Sequence, residues 1–344
     1  MSLTEREGAS AAPLAWDGRR LKILDQTLLP FEERVIVLGG ADDTTAAIRR
    51  LSVRGAPLIG IAAAYGLAME VAERPSRDAL EEGWARLRAA RPTAANLGRA
   101  VDRVRDAALA ADPADLAAAA CAEAEAIHAE EDEASVRMAA HGAELLAGAR
   151  RVLTHCNTGA LAAGGRGTAL AVILELADRG TVRVLVNETR PLLQGSRLTV
   201  WELRRAGVEH ALLADGAAAA LIARGEVDAV VVGCDRVAAN GDVANKVGTY
   251  GLALAARAAG IPFVVAGPTS SIDAELDSGA GIPIEERDPD EVRRAGGELV
   301  TAPGTPCRNP AFDVTPADLV TALVTERRVV APVDRAGIAA VLVP

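Results

Sequence analysis

Aromatic rings are scarce in this sequence, with three Trp, three Phe and two Tyr in 344 residues. Any core must therefore be aliphatic, and little ring surface is left on which bases could stack. Lysine is scarcer still, because Lys22 and Lys246 are the only two among 37 basic residues. Against those stand 47 Asp and Glu, a net charge of −10 that repels phosphate backbones and anionic lipid heads. No nucleic acid is expected as a partner, and any anion must be held by a local site. Cys121, Cys156, Cys234 and Cys307 lie far apart without a C-x-x-C pair, and no N-terminal stretch joins positive charge to a long apolar run and a cleavage site. A cytoplasmic protein with free thiols is the expectation. Apolar runs are broken by Gly or charge before reaching the ~20 residues of a bilayer span, so no membrane is expected either. His128 and His141 fall in an Ala/Glu-rich helical stretch and H-E-x-x-H is missing, which leaves no common metal pattern.

What remains is a chain that is 50% apolar and 24% charged, long enough for about two domains. Residues 1–15 are small and polar and read as a flexible leader. Residues 16–145 read as a mostly helical domain, with helical spacing over 42–74, 77–90, 94–111, 115–130 and 132–149. From residue 146 to the end the pattern alternates short β-branched runs with Ala/Leu-rich segments. RVLTHCN, TVRVLVNE, HALLAD, VDAVVVGCD and PFVVAGP carry no polar alternation, as strands covered on both faces require. The fold class is therefore α/β: a helical N-terminal domain followed by a Rossmann-like, doubly wound parallel-sheet domain. Ligands of such sheets bind beyond the carboxyl ends of the strands. The polar residues closing each run are the first candidates: Cys156-Asn157, Asn187-Glu188-Thr189-Arg190, Asp215 and Cys234-Asp235.

Cys156 precedes NTGALAAGGRGT, a loop leading toward a helix whose N-terminus would favour thiolate; a plain buried cysteine fits the same position. Glu188 lies about twenty residues further on, as in a dinucleotide site. Leu170, however, stands where the third glycine of G-x-G-x-x-G belongs, so a simple strand-to-helix turn explains the glycines equally well. In VVVGCDRVAANGDVANK a strand is expected to end at Asp235, a turn to follow at Asn240-Gly241-Asp242, and Asn245-Lys246 to open an Ala-rich helix. An ammonium at a helix N-terminus opposes the dipole, a conflict that a bound phosphate would remove; a solvated lysine beside a capping Asn is the other reading. The turns at Arg54-Gly55-Ala56-Pro57 and Arg91-Pro92-Thr93 put arginines beside open backbone N–H groups, suited to an anion or simply to helix boundaries.

Laid end to end, these stretches resemble the methylthioribose-1-phosphate isomerase family, aldose-phosphate isomerases related to the regulatory subunits of translation initiation factor 2B. The resemblance runs from LDQTLLP at Leu24 through VRGAPLIGIAAAYG, RPTAANL, THCNTGALA, NETRPLLQGSRLTVWEL, GCDRVAANGDVANKVGTYGLA and GPTSSID to NPAFDVTP. It implies conversion of 5-methylthioribose 1-phosphate to 5-methylthioribulose 1-phosphate in methionine salvage, by a homodimer with no metal or nucleotide cofactor. It further implies Cys156 near the reacting carbons, Asp235 as proton donor, and Arg54, Gly55, Ala56, Arg91, Gln194, Asn245 and Lys246 as substrate contacts. Cys234 departs from the family's motif, which has a smaller residue there. Related isomerases act on 5-deoxyribose 1-phosphate or ribose 1,5-bisphosphate, and non-catalytic regulatory subunits share the fold; these are the competing expectations.

Overall fold

The computed structural model describes residues 12–91 and 95–343. Most of the expected leader and the Pro92-Thr93 turn lie outside the described residues, but the leader ends earlier than expected. Leu14 and Ala15 already belong to β1 (Leu14–Trp16), which pairs with β2 (Leu21–Leu24), itself paired with β3 (Val35–Leu38), in an antiparallel three-stranded sheet. Helices α1 (Ala41–Arg49), α2 (Ala56–Glu73), α3 (Arg77–Arg88), α4 (Ala95–Ala110) and α5 (Leu116–Leu145) follow. With its 18 residues α2 is apolar enough to cross a membrane, but 78% of it is buried, and α1, α3, α4 and α5 pack around it. It is the spine of the first core, with Leu58, Ile61, Tyr65 and Leu67 all buried. Two helices were expected where α5 runs unbroken for 30 residues. Neither Gly nor Pro occurs between Leu116 and His141, and a charge run such as Glu130-Glu131-Asp132 does not interrupt helical hydrogen bonds. Its first half packs into the helical core through Leu116, Ala120 and Ile127, and its second half reaches the sheet core through Ala134 and Met138.

The second half alternates strand and helix: β4 (Arg151–Thr154), α6 (Ala160–Ala163), α7 (Ala169–Arg179), β5 (Arg183–Asn187), α8 (Val200–Ala206), β6 (His210–Leu213), α9 (Ala218–Ala223) and β7 (Ala229–Val232). A hairpin of β8 (Arg236–Ala238) and β9 (Val243–Lys246) interrupts it before α10 (Thr249–Ala259) and β10 (Phe263–Ala266). Then come β11 (Ile272–Asp273), α11 (Pro289–Arg293), the ribbon β12 (Arg294–Ala295) and β13 (Glu298–Leu299), and β14 (Phe312–Thr315). The chain closes with β15 (Ala322–Val324), β16 (Val329–Val330) and α12 (Arg335–Leu342).

All five runs read as strands form strands of one sheet, in the order β16-β15-β10-β7-β4-β5-β6, parallel throughout except for β16 at the edge. Side chains alternate across it: Val152, Val184 and Val231 face one core with α7, while Leu153, Leu185 and Val230 face the other with α9 and α10. Both faces are covered, so apolar residues fill both and no polar alternation survives in the sequence. Winding proceeds outward from β4 through β5 to β6, and from β7 through β10 to β15. The reversal therefore falls between β4 and β7, the switch point at which doubly wound sheets open a crevice.

Candidate active site

The segments leaving β4 and β7 carry Cys156 and Asp235. The strands pair Val152 with Ala229 and Leu153 with Val230, and this register carried forward sets Cys156 level with Gly233, two residues before Asp235. Both side chains line one cavity, and so do Arg54, Gly55, Ala56, Arg91, Gln194, Asn245 and Lys246. The nine residues singled out in the sequence thus come together, although the chain separates the first from the last by most of its length. Asn187, Glu188, Thr189, Arg190 and Asp215, candidates at the other strand ends, are absent from that lining. Asp215, Thr189 and Arg190 brace the strand ends instead. The Asp215 carboxylate accepts the Thr189 and Arg190 N–H groups, both at 2.8 Å, and Thr189 Oγ1 accepts the Cys156 N–H at 2.8 Å.

Cys156 is buried, with φ of 65°, a backbone conformation that costs a non-glycine residue energy unless its surroundings impose it. Here Thr189 holds its N–H, and its carbonyl accepts from Thr199 Oγ1 at 2.6 Å. A helix N-terminus was expected to favour the thiolate. α6 starts only at Ala160, and burial pushes the Cys156 thiol up, against the downward pull of Arg54 and Lys246. Desolvation raises the carboxyl of Asp235 as well, opposed by Lys246, Arg91 and Arg54. Its neighbour Cys234 is pushed up to about 12 by burial and by the charge of Asp235, so the additional thiol is a neutral wall of the cavity.

Lys246 does not open a helix. It ends strand β9, paired with Phe312 of β14, and the helix begins at Thr249. The ammonium reaches the cavity from that small sheet, donating to the Ala311 carbonyl at 2.9 Å and lying 4.8 Å from the centre of the Phe312 ring. Desolvation lowers its pKa. Asn245 donates to Thr249 Oγ1 at 3.0 Å. Gln194 precedes a π-helical turn, Gly195–Thr199, and its buried Oε1 has no hydrogen-bond partner among the described residues, as suits an acceptor held ready for a hydroxyl. Arg91 pairs with Glu285 at 3.0 Å, so the cavity receives only part of its charge. Arg287, which also pairs with Glu285, lines the cavity from a stretch that carries no motif. Asn157, a strand-end candidate, also lines the cavity, and Leu51, Leu192, Ile282 and Phe312 are further lining residues that the sequence did not mark. Among the described residues no group of three His, Cys, Asp or Glu side chains could hold a metal ion.

Gly55 fixes how closely α2 approaches α6. Its φ is 93°, and a Cβ there would stand 2.2 Å from the Ala162 carbonyl oxygen. Gly55→Ala is expected to destabilise the protein by ~2–3 kcal/mol, as backbone strain and overpacking do together, measured as a fall in the midpoint of denaturant unfolding. An unchanged midpoint would mean that the contact is slack.

A doubly wound sheet whose switch point holds a raised carboxyl and a buried thiol, under Arg54 and Lys246, defines a protein that accepts a small anionic molecule. Comparison with known proteins gives its kind. A model of the initiation factor 2 subunit family matches residues 52–332, and the chain belongs to that family. A methylthioribose-1-phosphate isomerase of Anaeromyxobacter sp. (strain K) is 52% identical over 95% of this chain and 96% of its own length. A 5-deoxyribose 1-phosphate isomerase of Moorella thermoacetica is 50% identical, over 96% and 97%. Among solved structures, the 5-methylthioribose 1-phosphate isomerase of Pyrococcus horikoshii superimposes with a TM-score of 0.89 at 40% identity, covering 96% of this chain and 95% of that one.

Proposed function

We propose that this chain is an aldose–ketose isomerase converting 5-methylthio-D-ribose 1-phosphate to 5-methylthio-D-ribulose 1-phosphate, a step of methionine salvage. What supports this most is the pairing, in one cavity, of a carboxyl whose pKa burial raises with a thiol at the neighbouring strand end. A phosphate on O1 locks the furanose, so no free aldehyde exists until an acid assists the ring oxygen to leave. Asp235 is that acid: desolvation disfavours its carboxylate and raises its pKa, which favours the proton-carrying form. Hydrogen then moves from C2 to C1 beside Cys156, either as a proton through an enolate or as a direct hydride shift. Gln194 and Asn245 orient hydroxyls, while Arg54, Lys246, Arg91 and the first N–H groups of α2 at Gly55-Ala56 hold the phosphate. In this reading residues 16–145 form the helical domain over the cavity and 146–344 the catalytic domain, in a cytoplasmic homodimer that needs neither metal nor nucleotide.

The apolar lining by Leu51, Leu192, Ile282 and Phe312 favours an apolar 5-substituent over the second phosphate of ribose 1,5-bisphosphate. The name of the Moorella relative keeps 5-deoxyribose 1-phosphate as the alternative substrate. Comparing kcat/KM on all three compounds tests the assignment. The methylthio sugar should lead; a preference for 5-deoxyribose 1-phosphate would move the enzyme out of methionine salvage, and inertness toward all three would favour a regulatory subunit. Lys246→Ala should raise KM by ~10- to 100-fold with a smaller change in kcat, because the phosphate carries its charge in both the bound substrate and the transition state, so a charge-assisted bond to it holds both alike. An unchanged KM would remove Lys246 from phosphate binding.

A further inference from the structure

Glu202, which is absent from the cavity lining, belongs to a hydrogen-bond chain from Arg54 that the reaction scheme does not use. Arg54 donates from Nη1 to Asn157 Oδ1 at 2.7 Å and from Nη2 to the Asn157 carbonyl at 3.0 Å. With its oxygen so engaged, the Asn157 amide turns Nδ2 toward Thr199 Oγ1, at 3.2 Å, and toward the carboxylate oxygen Oε2 of Glu202. The other oxygen, Oε1, accepts the Leu161 N–H at 3.2 Å. The carboxylate lies so close to the chain that a Cβ on Gly159 would stand 2.4 Å from both of its oxygens. Each link is directional: Arg54 has only donors, the amide takes one and gives the other, and the carboxylate accepts at both ends.

We propose that Glu202 is a positioning residue for the isomerisation, which through Asn157 aims the guanidinium of Arg54 at the phosphate of the substrate. The inference rests on reading the cavity as a sugar-phosphate site. An acid is a costly choice for plain packing, since desolvation pushes the Glu202 carboxyl up to about 7. Glutamine has the same shape and cannot replace it. Its NH2 would face either Asn157 Nδ2 or the Leu161 N–H, donor against donor, so the Asn157 amide must flip or the loop must shift. In either case Arg54 loses the oxygen that holds its fork. This puts Glu202, which never touches the substrate, in control of phosphate affinity.

The test is calorimetric binding of inorganic phosphate to wild type, Glu202→Gln, Arg54→Ala and the double variant, with KM and kcat measured alongside. The expected result is a loss of about tenfold or more in phosphate affinity for Glu202→Gln, the scale of one hydrogen bond to a charged group. KM should rise in step while kcat moves less, and the double variant should bind no more weakly than Arg54→Ala alone. A folded Glu202→Gln protein with wild-type affinity would overturn the proposal, as would losses that multiply in the double variant, because Glu202 would then act independently of Arg54. Should Glu202→Gln fail to fold, Asn157→Leu breaks the same chain from its middle and must show the same loss without additivity; wild-type affinity there refutes it equally. Phosphate binding does not depend on turnover. A wild-type protein inert toward the methylthio sugar would sink the functional reading, while the affinities would still decide the role of Glu202.

Discussion

Asp235→Asn is expected to lower kcat by ~10²- to 10⁴-fold, the range that a positioned general acid supplies. Asparagine keeps the shape and removes the proton that the ring oxygen needs. Stability should move the other way. Burial raises the Asp235 carboxyl above its value of 3.8 in an unfolded chain, so the folded state holds more protons between the two pKa values and loses stability as pH rises through that window. At neutral pH, which lies above 3.8, the wild type bears this cost and the amide does not. The variant should therefore unfold at the same temperature as wild type or higher, although it hardly turns over. For the wild type, kcat/KM should fall as pH rises through the raised pKa, because the acid is then spent. A variant with near-normal kcat would remove Asp235 from the chemistry. A variant that unfolds more easily would mean that the carboxylate is the form the fold prefers.

Cys156→Ser is expected to cost ~10²- to 10³-fold in kcat with the fold retained, since a hydroxyl is far less acidic and less polarizable than a thiol. The scaffold around it should be indifferent to the change. The Cys156 backbone is held from both sides by Thr189 and Thr199 through main-chain groups that Ser also has. Burial pushes the thiol up, which favours its protonated form, and a thiolate must be drawn out by the neighbouring cations before it could take the C2 proton. Turnover in deuterated water separates the routes: deuterium at C1 of the product marks a proton exchanged through an enolate, and its absence marks direct transfer. Near-normal kcat for Cys156→Ser would leave the cysteine a wall of the cavity and no more.

The sheet was legible because burial on both faces leaves a plain signature, seen in RVLT, RVLVN and AVVV, which form the adjacent strands β4, β5 and β7. Lys246 shows where local reading fails. The turn at Asn240-Gly241 was visible in the sequence and pairs Val243 and Ala244 with β8, but Asn245 and Lys246 continue the strand by pairing with Asp313 and Phe312 from far downstream, an event that no local window contains. The same dependence hid Arg287, which reaches the cavity from a stretch with no motif of its own. Strand ends pointed to Cys156 and Asp235, whereas the turns at Arg54 and Arg91 admitted bland readings until the resemblance singled them out. Glu202 was invisible for another reason: its meaning lies in the directions of hydrogen bonds to Asn157 and Leu161, and a sequence carries no directions.

The most direct test of the account is a phosphorus and proton NMR time course of the purified protein with 5-methylthioribose 1-phosphate, without added metal or nucleotide, beside the Asp235→Asn variant. Wild type should convert the sugar to its 1-phospho-ketose while the variant leaves it nearly untouched. A wild type that leaves the sugar unchanged, or a variant that converts it as fast, would contradict the account.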